Sequence, residues 1–457
     1  MTKNAIIAAN RFGLGARPGD LAQMGNDAEG WLVEQLTDVD TPRGLPASSD
    51  VIVEVNELRM QRRAARADDD DLVQQYTRKI RRHYVEQVTA RYRHAAATER
   101  PFTERLVHFW SNHFAVSADK QPIPAIAGLF ENEAIRPNVL GNFTELLTAA
   151  AQHPAMILYL DNQRSIGPDS KLGKRARRFR PDQALGLNEN LAREILELHT
   201  LGVAGGYTQE DVTAFARVIT GWSIGGANPQ GRFAEGEPGK FEFRDNIHEP
   251  GTQRILGKKY AQGGVRQGEA VLYDLARHPS TATFIARKLV RHFVADEPSA
   301  GLVERLAAVY RENDTELRPV YRALIESDEA FGEQTSKYKT PHDFVISAFR
   351  AFDHVPSDGR FVAGALDAMG QTAYRPGSPE GWPDTAAAWG GPDALYKRIE
   401  WSSAVANYAG SRIDPIELGQ AALGSSLSTR TVQSIKRAES VMQGTTLLLA
   451  SPEFQRR

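Results

Sequence analysis

The chain has 457 residues, enough for one large domain or two to three ordinary ones. Its 55 Lys and Arg against 57 Asp and Glu leave a formal charge of −2, which argues against a protein that coats nucleic acid or an anionic membrane. There is no Cys, so disulfides, zinc–thiolate sites, iron–sulfur clusters and cysteine nucleophiles are excluded.

The opening apolar run, Ala5 to Ala9, is too short for a signal-peptide core, and no twin-Arg precedes it. No stretch reaches the roughly 18–20 apolar residues of a spanning helix. The expectation is a soluble protein with no export signal of its own, hence cytoplasmic. Leu72, Tyr76, Ile80, Tyr84, Val88 and Tyr92 recur every fourth residue and predict a long helix. Asp68 to Asp71 sit at the positive end of its dipole. Pro101 marks a break or the first turn of the next helix, which carries Arg105 to Phe114. On that helix Leu106, Val107, Trp110 and Phe114 form an apolar arc and Arg105, His108 and Asn112 a polar one. His113 falls at the border, about 140° from His108, so the two cannot chelate one metal from a regular helix.

Further helices are expected at 142–151, 188–200, 209–220, 269–276, 280–294, 301–312, 316–326, 341–352, 360–369, 393–408 and 430–450. Thr208 with Asp211 reads as a capping box, and His153-Pro154 and His278-Pro279 as similar helix starts. Lys240 to Arg244 is the best strand and could make a short hairpin; a small β hairpin is expected near 240–260. Ser165 to Gln183 and Ser223 to Pro238 read as long loops, solvated or lid-like. The fold class is mainly α. It comprises one large multi-helix domain over 1–457, or two packed lobes, 1–222 and 265–457, joined by a Gly-rich loop and hairpin segment, 223–264.

The densest polar segment runs from Asn188 to His199. At about 100° per residue, Glu189, Asn190, Arg193, Glu194 and Glu197 share one arc, while Leu191, Ile195 and Leu198 lie opposite. In a cleft, such a face gives a carboxylate of raised pKa for acid–base work; in solvent it is an ordinary amphipathic helix. The glycine-rich turn Thr200 to Tyr207 is followed by Gln209-Glu210-Asp211, whose acids oppose a DNA-recognition role. After Thr220-Gly221, Trp222 could serve as a stacking platform or pack in the core. His248 lies on a turn. No phosphate-binding loop, serine elbow, dinucleotide fingerprint or His-Glu-x-x-His occurs.

Several segments together are recognisable: Arg11-Phe12-Gly13-Leu14-Gly15, Phe109-Trp110-Ser111-Asn112-His113-Phe114, Asn188 to Gly202 with its continuation to Trp222, His248-x-x-Gly251, Ile285-Ala286-Arg287-Lys288-Leu289 and Gly381-Trp382-Pro383. Along most of its length the chain resembles the bacterial family called domain of unknown function 1800. The resemblance implies that the Asn190/Arg193/Glu194/Glu197 face and the Asn112-His113 pair are family signatures. It also implies a sulfatase-like neighbour, of the family of unknown function numbered 1501, and relatives with a twin-arginine leader. Periplasmic location with a partner that carries the signal is therefore the alternative to the cytoplasm.

The expected function is a hydrolase-like enzyme with a carboxylate and histidine pocket, acting on a polar or glycan substrate. Glu194 and Glu197 are its expected acid–base pair. Arg193, Asn190, Glu189 and Asn112 would bind and orient substrate, with Trp222 as the platform. His113 and His248 would move protons or hold a metal; cofactor and metal stay open. The alternative is a non-catalytic partner that escorts the sulfatase-like neighbour, with the polar block as a structural network.

Overall fold

The long periodic stripe forms helix α1 (Asp70–Ala97), with Ile80, Val88 and Tyr92 buried and Tyr76 and Tyr84 half-buried. Its arginine-rich faces stay in water, as the stripe requires. The computed structural model describes residues 2–64, 70–179, 186–226, 235–332, 337–410 and 413–457. Asp68 and Asp69 lie outside the described residues. Pro101 opens helix α2 (Pro101–His113) at its first turn, where its missing N–H leaves nothing unsatisfied. Buried apolar side chains from Ala5 to Phe454 then form one core, so chain ends distant in sequence pack together.

The Arg11 to Gly15 motif is one such junction. Arg11 Nη1 donates to Ala330 O at 2.6 Å, and the Phe12 ring lies 5.5–5.7 Å from those of Phe102, Phe293 and Phe331. The carbonyls of Gly13 and Gly15 accept from the buried guanidinium groups of Arg105 and Arg350. Gly15 has φ +103°, and a Cβ there would lie 2.7 Å from Ser347 Cβ. Gly15→Ala therefore combines a left-handed backbone with a clash in a packed core. We expect it to lower unfolding free energy by about 2–4 kcal/mol, measured by urea denaturation.

Local capping matches the sequence in detail. Thr208 and Asp211 make a reciprocal capping box at the start of a helix whose bounds are Gln209–Val218. His153 and His278 each accept a backbone N–H through Nδ1, two residues ahead, with Pro in the first helical position.

Four segments differ from expectation. The 188–200 helix is α-helical only over Asn190–Glu194 and continues as a π-helix, Ile195–Thr200. The wider π turn rotates Glu197 away from the register that a 100° step assigns. The 165–183 loop contains a helix, Lys171–Phe179, begun by Ser170 Oγ accepting from Gly173 N–H; Arg180 to Gln183 lie outside the described residues. The expected helix 430–450 is two, Thr429–Lys436 and Val441–Leu449, because Ser440 caps a new start.

Strand β1 (Trp222–Ile224) pairs antiparallel with β2 (Phe241–Phe243), Trp222 opposite Phe243. The partner of the 240–244 strand thus comes from upstream rather than from a local hairpin. A true hairpin joins β3 (Gln253–Ile255) to β4 (Lys258–Tyr260) through Leu256 and Gly257, both at positive φ, the turn that suits the twist of two strands. Of the 223–238 loop, 227–234 lie outside the described residues. Among the described residues, no helix is long and apolar enough to cross a membrane.

Candidate active site

The expected acidic face is only partly exposed, and its groups bind one another and the next helix. Glu189 accepts from Arg193 at 3.1 Å, from Gln209 at 2.8 Å and from Thr213 at 2.7 Å. Arg193 also donates to Gln209 Oε1 at 2.9 Å, and Glu197 accepts from Tyr207 OH at 3.1 Å. Asn190 is exposed. Burial, then the nearby Glu197, pushes the Glu194 carboxyl up. None of these five residues lines a described cavity.

Trp222 is fully enclosed, against Phe241 and the backbone of Gly268, so no face of its indole is open to stack on a ligand. His248 is buried beside Phe243 and donates through Nδ1 to Thr220 O at 2.9 Å. It lines no described cavity either.

Asn112 and His113 do reach a cavity, of about 520 Å³, within the usual range of ligand sites. Its walls come from α2, from the helix α3 (Pro279–Phe293), from the start of the helix α4 (Pro341–Ala351) and from the 371–385 loop. Asn112 holds that loop. Its Oδ1 accepts from Trp382 N–H at 2.7 Å, and its Nδ2 donates to Trp382 O at 2.9 Å. Gly381 approaches so closely, at φ +85°, that a Cβ would lie 2.3 Å from Asn112 O. The amide is thus engaged by the protein itself. Asn112→Ala removes two hydrogen bonds, each worth about 1 kcal/mol. We expect faster hydrogen exchange at the Trp382 amide, read by mass spectrometry or NMR.

The clamped loop carries Asp384 to His292, whose Nδ1 lies 2.5 Å from Asp384 Oδ2. Arg457 Nη2 holds the other oxygen at 2.8 Å, and Lys337 Nζ lies 3.6 Å away. Burial works to raise the Asp384 pKa, but His292, Arg457 and Lys337 overcome it and hold the carboxylate ionised. Burial lowers His292 to about 4 against the pull of Asp384, so its ring is neutral at pH 7. With Nδ1–H donated to Asp384, Nε2 carries a lone pair and has no hydrogen-bond partner among the described residues. That is the arrangement of an oriented general base.

His113 also lines the cavity. Its Nε2 donates to His199 O at 3.1 Å, leaving Nδ1 without a partner among the described residues. Burial, then Lys288 and His199, drive its pKa well down. Lys288, one turn before His292, is lowered to about 8 by burial, opposed by Glu380 and Asp384.

On the other wall, Tyr92, His342, His108 and Glu104 form a row. Tyr92 OH meets His342 Nδ1, His342 Nε2 lies 3.1 Å from His108 Nδ1, and His108 Nε2 lies 3.2 Å from Glu104 Oε1. The ionised Glu104 favours an N–H on His108 Nε2. Each later donor then follows in one direction, ending at the Tyr92 hydroxyl.

Sequence reasoning missed His292, Asp384 and His342. Two signals pointed near them: Lys288 and Gly381-Trp382-Pro383 lie in segments that carry the family resemblance, and both line this cavity. Among the described residues, no group of three or more His, Asp or Glu is arranged to hold a metal ion. No curated protein and no solved structure matches the chain. A family model matches residues 7–456, nearly the whole length, and the chain belongs to the family described as protein of unknown function (DUF1800).

Proposed function

We propose that this protein is a hydrolase-like enzyme that acts on a polar substrate in the cavity between α2, α3 and the 371–385 loop. His292 is its general base: Nε2 takes a proton from water or a substrate hydroxyl, while Asp384 stabilises the imidazolium that forms. The observation that carries this reading is a neutral, carboxylate-oriented histidine on a cavity wall, whose buried Nε2 has no hydrogen-bond partner among the described residues. The acid–base role moves from Glu194 and Glu197 to this pair because those carboxylates line no described cavity. The test is turnover of a panel of polar esters, amides and glycosides by the purified protein and by His292→Asn. Turnover that is undiminished in the folded variant refutes the assignment.

A second reading has its own support. Glu189, Gln209 and Thr213 tie the polar family segment to the following helix, as a structural network in a non-catalytic partner of a sulfatase-like protein would. Under that reading no substrate of the panel is turned over, and the chain co-purifies with that neighbour.

A further inference from the structure

The charges around the cavity are unevenly satisfied. Asp343 is paired with Arg105 at 3.1 Å and Arg457 at 3.3 Å, and Asp384 with His292, Arg457 and Lys337. Arg91, also on the wall, lies 3.2 Å from the buried Glu131. These ions are neutralised within the protein. Two cations on α3 are not. Lys288 Nζ has no hydrogen bond or ion pair among the described residues, and it lies over the Phe284 ring, 5.6 Å from its centroid. Arg291, one turn on, donates only from Nε to Asp296 O at 3.3 Å, which leaves both Nη groups unengaged among the described residues. Both side chains line the cavity beside His292.

The groups around Lys288 explain why it stays unpaired. From α2 comes His113 and from the π-helix His199, both neutral; from the loop come Glu380 and Asp384; from its own helix, Arg291. Asp384 is committed to His292, Arg457 and Lys337. Glu380 is exposed on the rim and makes no ion pair among the described residues. Lys288 is half-buried; holding its ammonium in a cavity without a close counter-ion is unfavourable, and a second unpaired cation nearby adds to that cost. An incoming anion removes both penalties at once.

We infer that Lys288 and Arg291 form an oxyanion subsite of this cavity, so that its ligand carries a carboxylate or a phosphate or sulfate ester. The guanidinium supplies a planar fork for two oxygens and the ammonium a point charge, a combination that suits an oxyanion and not a neutral ring. The placement of that group next to the reacting atom rests on the proposed role of His292. The subsite itself does not.

The test is direct binding of inorganic phosphate and of acetate to the full chain at low ionic strength, by calorimetry, with chloride as the control. The wild type should bind at least one of the two more tightly than chloride. Lys288→Met should weaken that binding by about tenfold or more, the value of one charge-assisted hydrogen bond, and Arg291→Met similarly. Lys288→Arg should retain it. Arg287→Met, exposed on the same helix, should not change it. Stronger binding of phosphate assigns a tetrahedral ester; stronger binding of acetate assigns a carboxylate. Failure of both anions to bind, or binding undiminished in Lys288→Met and Arg291→Met, overturns the inference; should Lys288→Met not fold, Arg291→Met decides alone. His292→Asn should bind the anion like wild type. If it also keeps its turnover, the catalytic reading fails while the subsite stands.

Discussion

His292→Asn is expected to lower turnover by about 10²–10⁴-fold, the contribution of a positioned general base, with little change in thermal stability. Asn fills most of the imidazole volume and can still face Asp384, but it has no lone-pair nitrogen to accept a proton. Glu194→Gln is the matched control. Burial and Glu197 raise the Glu194 pKa, so Gln copies its protonated form, and turnover should be unchanged. If Glu194→Gln abolishes turnover and His292→Asn does not, the site lies at the acidic helix after all. The pH profile gives a second reading. His292 acts as a base only when neutral, so the rate should fall as pH drops through about 4, well below the ordinary range of histidine. An acidic limb near 6.5 would contradict the burial on which the assignment rests.

Arg136→Met should be the most destabilising of the substitutions considered, by about 3–5 kcal/mol in urea unfolding, because it strands a buried carboxylate. Glu104 is almost completely buried, held by both Nη groups of Arg136. His94 and His108 lie 3.3 and 3.2 Å away. Burial acts to raise the Glu104 pKa, but Arg136 and the two imidazoles carry it well below 4.5. Its contribution to stability is therefore complete above that pH and is lost as pH falls below it. Arg136→Met should flatten this acid dependence as well as lower stability at pH 7. Combining it with Glu104→Gln should recover part of the loss, since no charge then remains without a partner. A double variant no more stable than the single would mean that packing, and not the ion pair, sets the cost.

Much of the helical framework is legible in the chain because its signals are local. The stripe from Tyr76 to Tyr92, the Thr208–Asp211 box and the His-Pro helix starts each act within one or two turns. The misplacements are equally local in cause. Ser170 and Ser440 start helices that the surrounding polar composition conceals, and the Leu256-Gly257 turn closes a hairpin without the usual Asn or Asp. The candidate site was legible only in part. Asn112 and His113 stand out in the sequence as a motif, and the structure shows Asn112 clamping the Trp382 backbone. The acidic arc drawn from a uniform 100° step loses its register at Ile195, where the backbone widens to a π turn.

The sequence by itself determined the mainly helical class, most helix positions, the absence of thiol chemistry and the family. Apolar periodicity and capping are set by neighbours a few residues apart, and they survive without knowledge of the fold. Only the tertiary structure decided which polar groups share a cavity. His292 and Asp384 are 92 residues apart, and Asn112 and Trp382 are 270 apart. No pattern within a helix specifies such encounters. They follow from how the helices pack and from which buried charges find partners, and that packing brings His292, Lys288 and Arg291 to one cavity wall.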